Sequence, residues 1–240
     1  GFPLANLATF GGGSMGGAVI DHAAGSPAIF AGGTLTVNGD GSFTLAAPSQ
    51  PGSYTFLYRL QNALGFDDGT VTVSVYEAPV AQDDVFQFFY TVDQSAPNSL
   101  FANNGFGPDN LGFPSATIAF YGAGSLGGSV IDHAAGTSAS LAGGTLTVNS
   151  NGTWSLTGAP FVPGVYTFQY FLQNLANSSV ATVTLNIVRA PDAVDDLAFT
   201  VASGSSFNFV PPNDLLVNDD RGFPLANVVS YGGGNAGGDI

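Results

Sequence analysis

Aspartate is the residue with the most chemical potential in this chain, and it comes in pairs. Asp83–Asp84 and Asp195–Asp196 stand at matching places, and Asp109 and the run Asn218–Asp219–Asp220 follow some way downstream. Calcium takes six to eight hard oxygens, which clustered Asp, Asn and backbone carbonyls can supply. One reading is therefore a calcium ion near each junction, drawn from Asp83, Asp84, Asp109, Asp195, Asp196, Asp219 and Asp220 with Asn103 and Asn104 nearby. The competing reading is that acids beside turns cap loops and keep sheet edges soluble. No stretch has the spacing of an EF-hand loop. A second pairing, Asp21–His22 and Asp132–His133 within the recurring "IDHAAG", has the residue types of a catalytic couple. Neighbours in a strand point to opposite faces, so these histidines read as structural. The glycine clusters "GGGSMGG", "GAGSLGG" and "GGGNAGG" follow strands like phosphate loops, yet no helix pattern follows and the chain has no Lys. They read as tight turns or close backbone approaches. Gly122, Gly124, Gly127, Gly128, Gly232, Gly233 and Gly234 then offer a side-chain-free patch for a neighbouring chain. No nucleophile–base pair or cofactor fingerprint accompanies any of this, and no enzyme is expected.

The composition narrows the partners. Three Arg (Arg59, Arg189, Arg221) face 17 acids, all Asp except Glu77, for a net charge of −14. Phosphate backbones and anionic membrane surfaces demand clustered cations, so nucleic acid and such membranes are disfavoured. With no Cys there are no disulfides or thiolate sites, and with no Lys there are no Lys–Asn isopeptide staples. No apolar run approaches the ~20 residues of a spanning helix. The 20 Phe and 8 Tyr, many in alternating positions, provide material for packed cores despite 34 Gly. Two Asn-x-Ser/Thr sites, at Asn151 and Asn177, match the glycosylation pattern, which is common by chance.

The elements that hold these residues repeat. "GFPLANLATFGGGSMGGAVIDHAAG" at Gly1 returns as "GFPSATIAFYGAGSLGGSVIDHAAG" at Gly112 and begins again at Gly222. Gly1–Asn38 aligns with Gly112–Asn149 without a gap, and "PGSYTFLYRLQN", "TVTVSV" and "APVAQDD" find counterparts at Pro163, Thr182 and Ala190. A period of about 111 residues is the size of a whole small domain rather than of a solenoid turn. Proline interrupts sheets, so boundaries fall at "YEAPVAQDD" and "VRAPDAVDD". Residues 1–77 are then the C-terminal part of one repeat, 78–189 a complete repeat, and 190–240 the N-terminal part of the next. Strand signals in the complete repeat cover 84–92, a short strand or turn at "SLFANN", 116–122 and 128–133. A hairpin turning at Asn151–Gly152 and the runs "VYTFQYFLQN" and "SVATVTLNIV" complete it. Tyr166, Phe168, Tyr170 and Leu172 should share one face, and Val183, Leu185 and Ile187 another. Seven strands in such a length predict an all-β, Greek-key, immunoglobulin-like sandwich.

The order "AxDDxF" (81–86), "LFANN" (100–104), "GGTLTVNSNGTWSL" (143–156), "PGVYTFQY" (163–170) and "ATVTLNI" (181–187) resembles the tandem Ig-like and cadherin-like repeats of large bacterial surface and secreted proteins. That resemblance implies an extracellular or cell-surface stalk, spacer, adhesin or fibre subunit, with calcium at some junctions. The leading expectation is a structural repeat of a secreted filament, sheath or stalk, whose partner is itself, either as a homopolymer or as tandem repeats of a longer chain. The alternative is an adhesin binding glycan or protein through loops at one sandwich end. Because residues 222–240 overlap residues 1–19, the chain reads as a window of a longer or processed array; strand exchange between subunits is the other reading.

Overall fold

The computed structural model describes residues 4–95, 99–196, 199–208, 210 and 214–232. Its residues divide into two compact units, Gly1–Ala81 with Asn110–Thr117 and Leu172–Ser179, and Gln82–Asp109 with Ile118–Phe171 and Val180–Ile240. The described elements are β-strands and two single-turn 3-10 helices. That composition follows from a chain rich in Thr, Val, Phe and Gly and poor in Glu and Lys.

The first sandwich lies within the first unit. β1 (Asn6–Gly11), β2 (His22–Ala23), β6 (Gly52–Asn62) and β7 (Gly65–Val75) form one sheet in the order β2-β1-β6-β7. β3 (Pro27–Phe30), β4 (Gly33–Val37) and β5 (Phe43–Ala46) form the other. Alternation sends Leu35 and Val37 of β4 inward, where they meet Leu7, Phe10, Phe30 and Phe56 in one core. Phe30 and Phe10 each pack edge-on against Phe56, at 5.6 and 6.5 Å between ring centres. β7 is an edge of its sheet.

The second sandwich repeats this plan and adds to it. β9 (Thr117–Gly122), β10 (His133–Ala134), β14 (Gly164–Gln173) and β15 (Ser178–Val188) take the places of β1, β2, β6 and β7. A further strand, β8 (Asp84–Phe89), joins as β10-β9-β14-β15-β8. β8 runs parallel to β15 from Asp84 opposite Val183 to Phe89 opposite Val188. β11 (Ser138–Leu141), β12 (Gly144–Val148) and β13 (Trp154–Thr157) form the facing sheet, to which Gln94 and Ser99 add bridges at Leu156 and Thr153. The expected inward face of β14 holds for Phe168, Tyr170 and Leu172, all fully buried, with Tyr166 half-buried; Val183, Leu185 and Ile187 of β15 are fully buried too. The all-β sandwich class read from the sequence is therefore the observed one.

Three details differ from the sequence reading. Residues 128–133 are not a strand. Positive φ at Gly127 and Gly128 turns the chain, Asp132 closes the turn by accepting the Ser129 N–H at 2.8 Å, and only His133–Ala134 pairs. β11 was not anticipated, because "SASL" is short and polar on its outer face, although Ala139 and Leu141 point inward. The opening strand stops at Phe89 instead of reaching Val92. The hairpin turn at Asn151–Gly152 forms as expected, with the Gly152 N–H donating to Asn149.

Candidate assembly site: the junction clasp and the buried aspartate

At the foot of β7 the chain is held by a small clasp. Glu77 and Phe113 exchange both backbone hydrogen bonds, at 2.9 and 3.0 Å, and Val80 and Asn110 do the same at 2.8 and 2.9 Å. The Asn174 amide donates to the carbonyls of Glu77 and Pro114, at 2.8 and 2.9 Å. Gly112 is needed because φ is +66° there and a Cβ would stand 2.4 Å from the Glu77 oxygen. Asn110 accepts the Gly112 N–H at 2.9 Å, and the Phe113–Pro114 bond is cis.

The same clasp recurs after β15. Arg189 and Phe223 exchange bonds at 2.9 Å each way, and Asp192 and Asp220 at 2.7 and 2.9 Å. Gly222 has φ +67° with the Arg189 oxygen 2.4 Å from a notional Cβ, and Phe223–Pro224 is cis. Asp220 accepts the Gly222 N–H at 3.0 Å and also pairs with the Arg189 guanidinium. The clasp is thus a backbone device with interchangeable side chains: Asn110 and Glu77 in one copy, Asp220 and Arg189 in the other. Its third sequence copy, Gly1–Pro3, lies outside the described residues.

The second unit holds a cluster that includes three of the expected metal ligands. Asp84 is buried, the one charged side chain so placed among the described residues. Its Oδ1 accepts from Asn104 at 2.8 Å, while its Oδ2 accepts nothing. Burial, reinforced by the charges of Asp109 and Asp83 and opposed by the Asn104 bond, pushes the carboxyl up to about 7. Asp109 accepts the Gln82 N–H at 2.7 Å and the Tyr170 hydroxyl at 2.9 Å, and burial raises its carboxyl as well. Burial followed by these two carboxylates likewise drives the Tyr170 hydroxyl upward. Asp83 accepts the Thr182 N–H at 2.7 Å. Together these bonds fasten the start of β8 to β15 and to the loop at 99–109.

The remaining expected ligands divide. Asp219 accepts the Val194 N–H at 2.8 Å, as Asp109 does with Gln82, whereas Asp195 and Asp196 are exposed. Asn218 donates to the carbonyls of Val194 and Asp195. Among the described residues no three Asp, Glu or His side chains gather as a metal site. Most of the carboxylates expected at the junctions are hydrogen-bond acceptors for nearby backbone amides.

The other singled-out residues also have structural partners. His133 stacks on Tyr121 and His22 on Phe10, each at 5.3 Å, and Asp21 accepts the Ala18 N–H as Asp132 does that of Ser129. Gly124 lets its turn fold onto β14, a notional Cβ lying 2.5 Å from the Thr167 oxygen, while the Thr167 N–H donates to Ser125 at 2.9 Å. Gly122 and Gly128 likewise press against Ser129 and Asp132, leaving Gly127 with open space. Gly232 is half-buried; Gly233 and Gly234 lie outside the described residues. Sequence reasoning missed Tyr170 as the hub of the acid cluster. Its signal was a polar-tipped aromatic on an inward face, which needs a partner when buried.

No protein-family model and no curated protein matches the chain. Among solved structures it is similar to the I-band fragment I67–I69 of titin, at 12% identity over 65% of this chain and 50% of that one, with a TM-score of 0.37. The chain thus spans half the length of that fragment. It is similar to extracellular domains 3–5 of Drosophila OTK at 12% identity, over 80% of this chain and 56% of that one, with a TM-score of 0.29. It also resembles an endo-fucoidan hydrolase of glycoside hydrolase family 107 at 19% identity, over 68% of this chain and 27% of that one, with a TM-score of 0.29.

Proposed function

We propose that this chain is a structural repeat module of an extracellular filament, sheath or stalk, in which successive sandwiches follow one another through identical clasps. One observation carries the reading: the Glu77–Phe113 and Arg189–Phe223 clasps preserve the same backbone exchanges and the same positive-φ glycine while their side chains differ. Selection for a ligand would preserve side chains. Preservation of backbone geometry under side-chain change serves connection, and equal connections let repeats add without limit. A chain with three Arg and no Lys also offers trypsin-like proteases few sites, which suits an exposed polymer.

Negative-stain microscopy and small-angle scattering of native material, with and without a chelator, test this. Extended rods or fibres with a regular subunit spacing are expected. Dispersed globules in both conditions would overturn it. Kinking of the rods on chelation would add a calcium ion to the junction.

A further inference from the structure

The chain holds three Asn–Gly pairs, Asn38–Gly39, Asn104–Gly105 and Asn151–Gly152. Before a glycine, with no Cβ to shield it, the next backbone nitrogen can reach the side-chain amide carbon. The structure gives the three amides unequal surroundings. Asn104 spends its Nδ2 on the Asp84 carboxyl at 2.8 Å and on the carbonyls of Ser99 and Ala102 at 2.7 and 3.3 Å. The Gly105 N–H beside it donates to Asn103 at 3.2 Å. Asn38 ties its Nδ2 to the Ser42 hydroxyl at 2.9 Å. Asn151 is exposed, and among the described residues its Nδ2 donates to nothing. Its Oδ1 instead accepts the Thr153 N–H at 3.1 Å and the Thr153 hydroxyl at 2.7 Å. The Asn149 amide donates to that hydroxyl oxygen at 3.0 Å, which leaves the hydroxyl proton aimed at Asn151.

These bonds suit the loss of the amide. Hydroxide removes the Gly152 proton, and the nitrogen gives up its bond to the Asn149 carbonyl at 3.0 Å. As it attacks Cγ of Asn151, negative charge builds on Oδ1, where two donors already point and stabilise it. The new Cγ–N bond closes a succinimide ring. The Cγ–Nδ2 bond breaks, and the nitrogen takes a proton from water and leaves into solvent as ammonia. Water then opens the ring, so one water is consumed and one ammonia released, with no oxidant or reductant. Opening at Cγ leaves aspartate. Opening at the backbone carbonyl leaves isoaspartate, whose main chain runs through the side chain and is one carbon longer.

The first sandwich contains the product. Asp40–Gly41 occupies the place of Asn151–Gly152, and Asp40 accepts the Ser42 N–H at 3.0 Å and the Ser42 hydroxyl at 2.7 Å. The Gly41 N–H donates to Asn38 as that of Gly152 does to Asn149, each at 3.0 Å. The Ser42 bonds hold the Asp40 carboxyl below the usual carboxylate range. It therefore stays ionised and is a poor target for a second ring closure. Isoaspartate fits this turn badly. Gly152 is buried, its carbonyl accepts the Leu100 N–H at 2.9 Å, and a notional Cβ on it would stand 2.9 Å from the Phe101 ring. An added main-chain carbon would lift it away from both. We infer that Asn151 is a site of self-modification, losing its amide through a succinimide formed with Gly152, and that the folded turn steers the product to aspartate. The second sandwich then acquires the acidic turn that the first has by sequence. This stands apart from the reading of the chain as a repeat array.

Peptide mapping of the full chain, held warm at pH 8 and sampled over time, tests it. Amide loss at Asn151 should outrun that at Asn104 by more than about tenfold, because the bonds of Asn104 must break first. Asn38 should fall between them. A free peptide of residues 147–156 supplies the reference ratio of isoaspartate to aspartate, and the folded chain should lower that ratio severalfold. Thr153→Val removes one donor to Oδ1 and should slow the loss severalfold. Asn151→Asp should abolish the first acidic species on ion exchange and leave the urea midpoint of the second sandwich in place. Asn104→Asp should lower that midpoint, since it sets a carboxylate against three acceptor oxygens. An Asn151 that stays intact while the free peptide converts overturns the inference. So does earlier conversion at Asn38 or Asn104, a folded chain as rich in isoaspartate as the peptide, an unchanged rate in Thr153→Val, or a lowered midpoint in Asn151→Asp.

Discussion

The two sandwiches share strands, turns and most core positions, and they differ by one strand and one loop. In the second, β8 and the segment through Leu100 seal β14 and β15, so that Phe168, Tyr170, Leu172, Val183, Leu185 and Ile187 are all at 0% exposure. In the first, Phe56 is buried to the same degree, yet Tyr58, Val71, Val73 and Val75 are only half-buried. Near-identical sequences thus give unequal burial, which teaches that the burial of β14 and β15 is supplied by β8 and the segment through Leu100, not by their own residues alone. Buried apolar area is what stabilises a sandwich, at roughly 25 cal/mol per Å², so the first should be the weaker of the two.

The strongest way to break this comparison is to truncate the same position in both. Trp154→Ala empties a sealed site and should cost about 3–5 kcal/mol. Phe43→Ala acts on a half-open ring and should cost under about 1.5 kcal/mol. Calorimetry that resolves two transitions would show the second moving far more than the first. Equal shifts would mean that the two rings are equally buried in solution. Trp154→Phe, which copies the first sandwich, should cost much less than Trp154→Ala, because the indole N–H is buried without a partner.

The acid cluster sharpens the contrast by pH. Asp84 lies at about 7 in the folded chain against 3.8 for a free carboxyl. The folded state therefore holds a proton that the unfolded state has released between these values. The contribution of this group to stability is complete below about pH 4 and is lost as pH rises towards 7. The raised Asp109 acts with the same sign. Urea unfolding followed by the single tryptophan, Trp154, should give a higher midpoint at pH 5 than at pH 8. Asp84→Asn should flatten most of that slope and raise stability at pH 8. The first sandwich, where no carboxylate lines the apolar cleft at Tyr58, should show no such dependence.

Much of this was legible in advance, for reasons particular residues make plain. The alternation of Tyr166 to Leu172 and of Val183 to Ile187 marked inward faces, since a period of two is a local property. The Asn151–Gly152 turn was readable for the same reason. The uses of the aspartates were not. Whether Asp84 binds metal, faces solvent or is buried against Asn104 depends on a loop some twenty residues away and a tyrosine on another strand. The clasp was hidden in a different way. "GFP" stood in the sequence only as the start of a repeated segment, but its work is done by a positive φ at Gly112 and by backbone atoms of Glu77, which leave no side-chain pattern.

The clasps offer a smaller test. Gly112→Ala forces a Cβ to within 2.4 Å of the Glu77 oxygen, and Gly222→Ala does the same at Arg189. Such strain costs on the order of 1–3 kcal/mol. Gly112→Ala should appear as a lowered midpoint of the sandwich transitions. Gly222→Ala should leave both midpoints in place and speed amide exchange only at Arg189 and Asp192, because the described residues beyond it belong to no strand. A shift of both midpoints by Gly222→Ala would show that the trailing segment is docked on a sandwich.

The smallest effect expected is that of a chelator. Asp83, Asp109 and Asp219 each accept a backbone N–H at 2.7–2.8 Å, and Asp220 is paired with Arg189. These bonds already supply what a calcium ion would otherwise provide, a fixed orientation for each carboxylate. An ion would have to be desolvated to reach carboxylates that are already held in place. Excess chelator should therefore shift neither midpoint by more than about 2 °C, which for a domain of this size is under 1 kcal/mol. The comparison between copies makes the test sharper. The Asn110–Glu77 clasp has one carboxylate where the Asp220–Arg189 clasp has a carboxylate and a guanidinium. A calcium-dependent shift confined to the transition of the second sandwich would place an ion at the Asp83, Asp84 and Asp109 cluster. There it would take the unpartnered Oδ2 of Asp84 as a ligand, and Asp84→Asn would erase the shift.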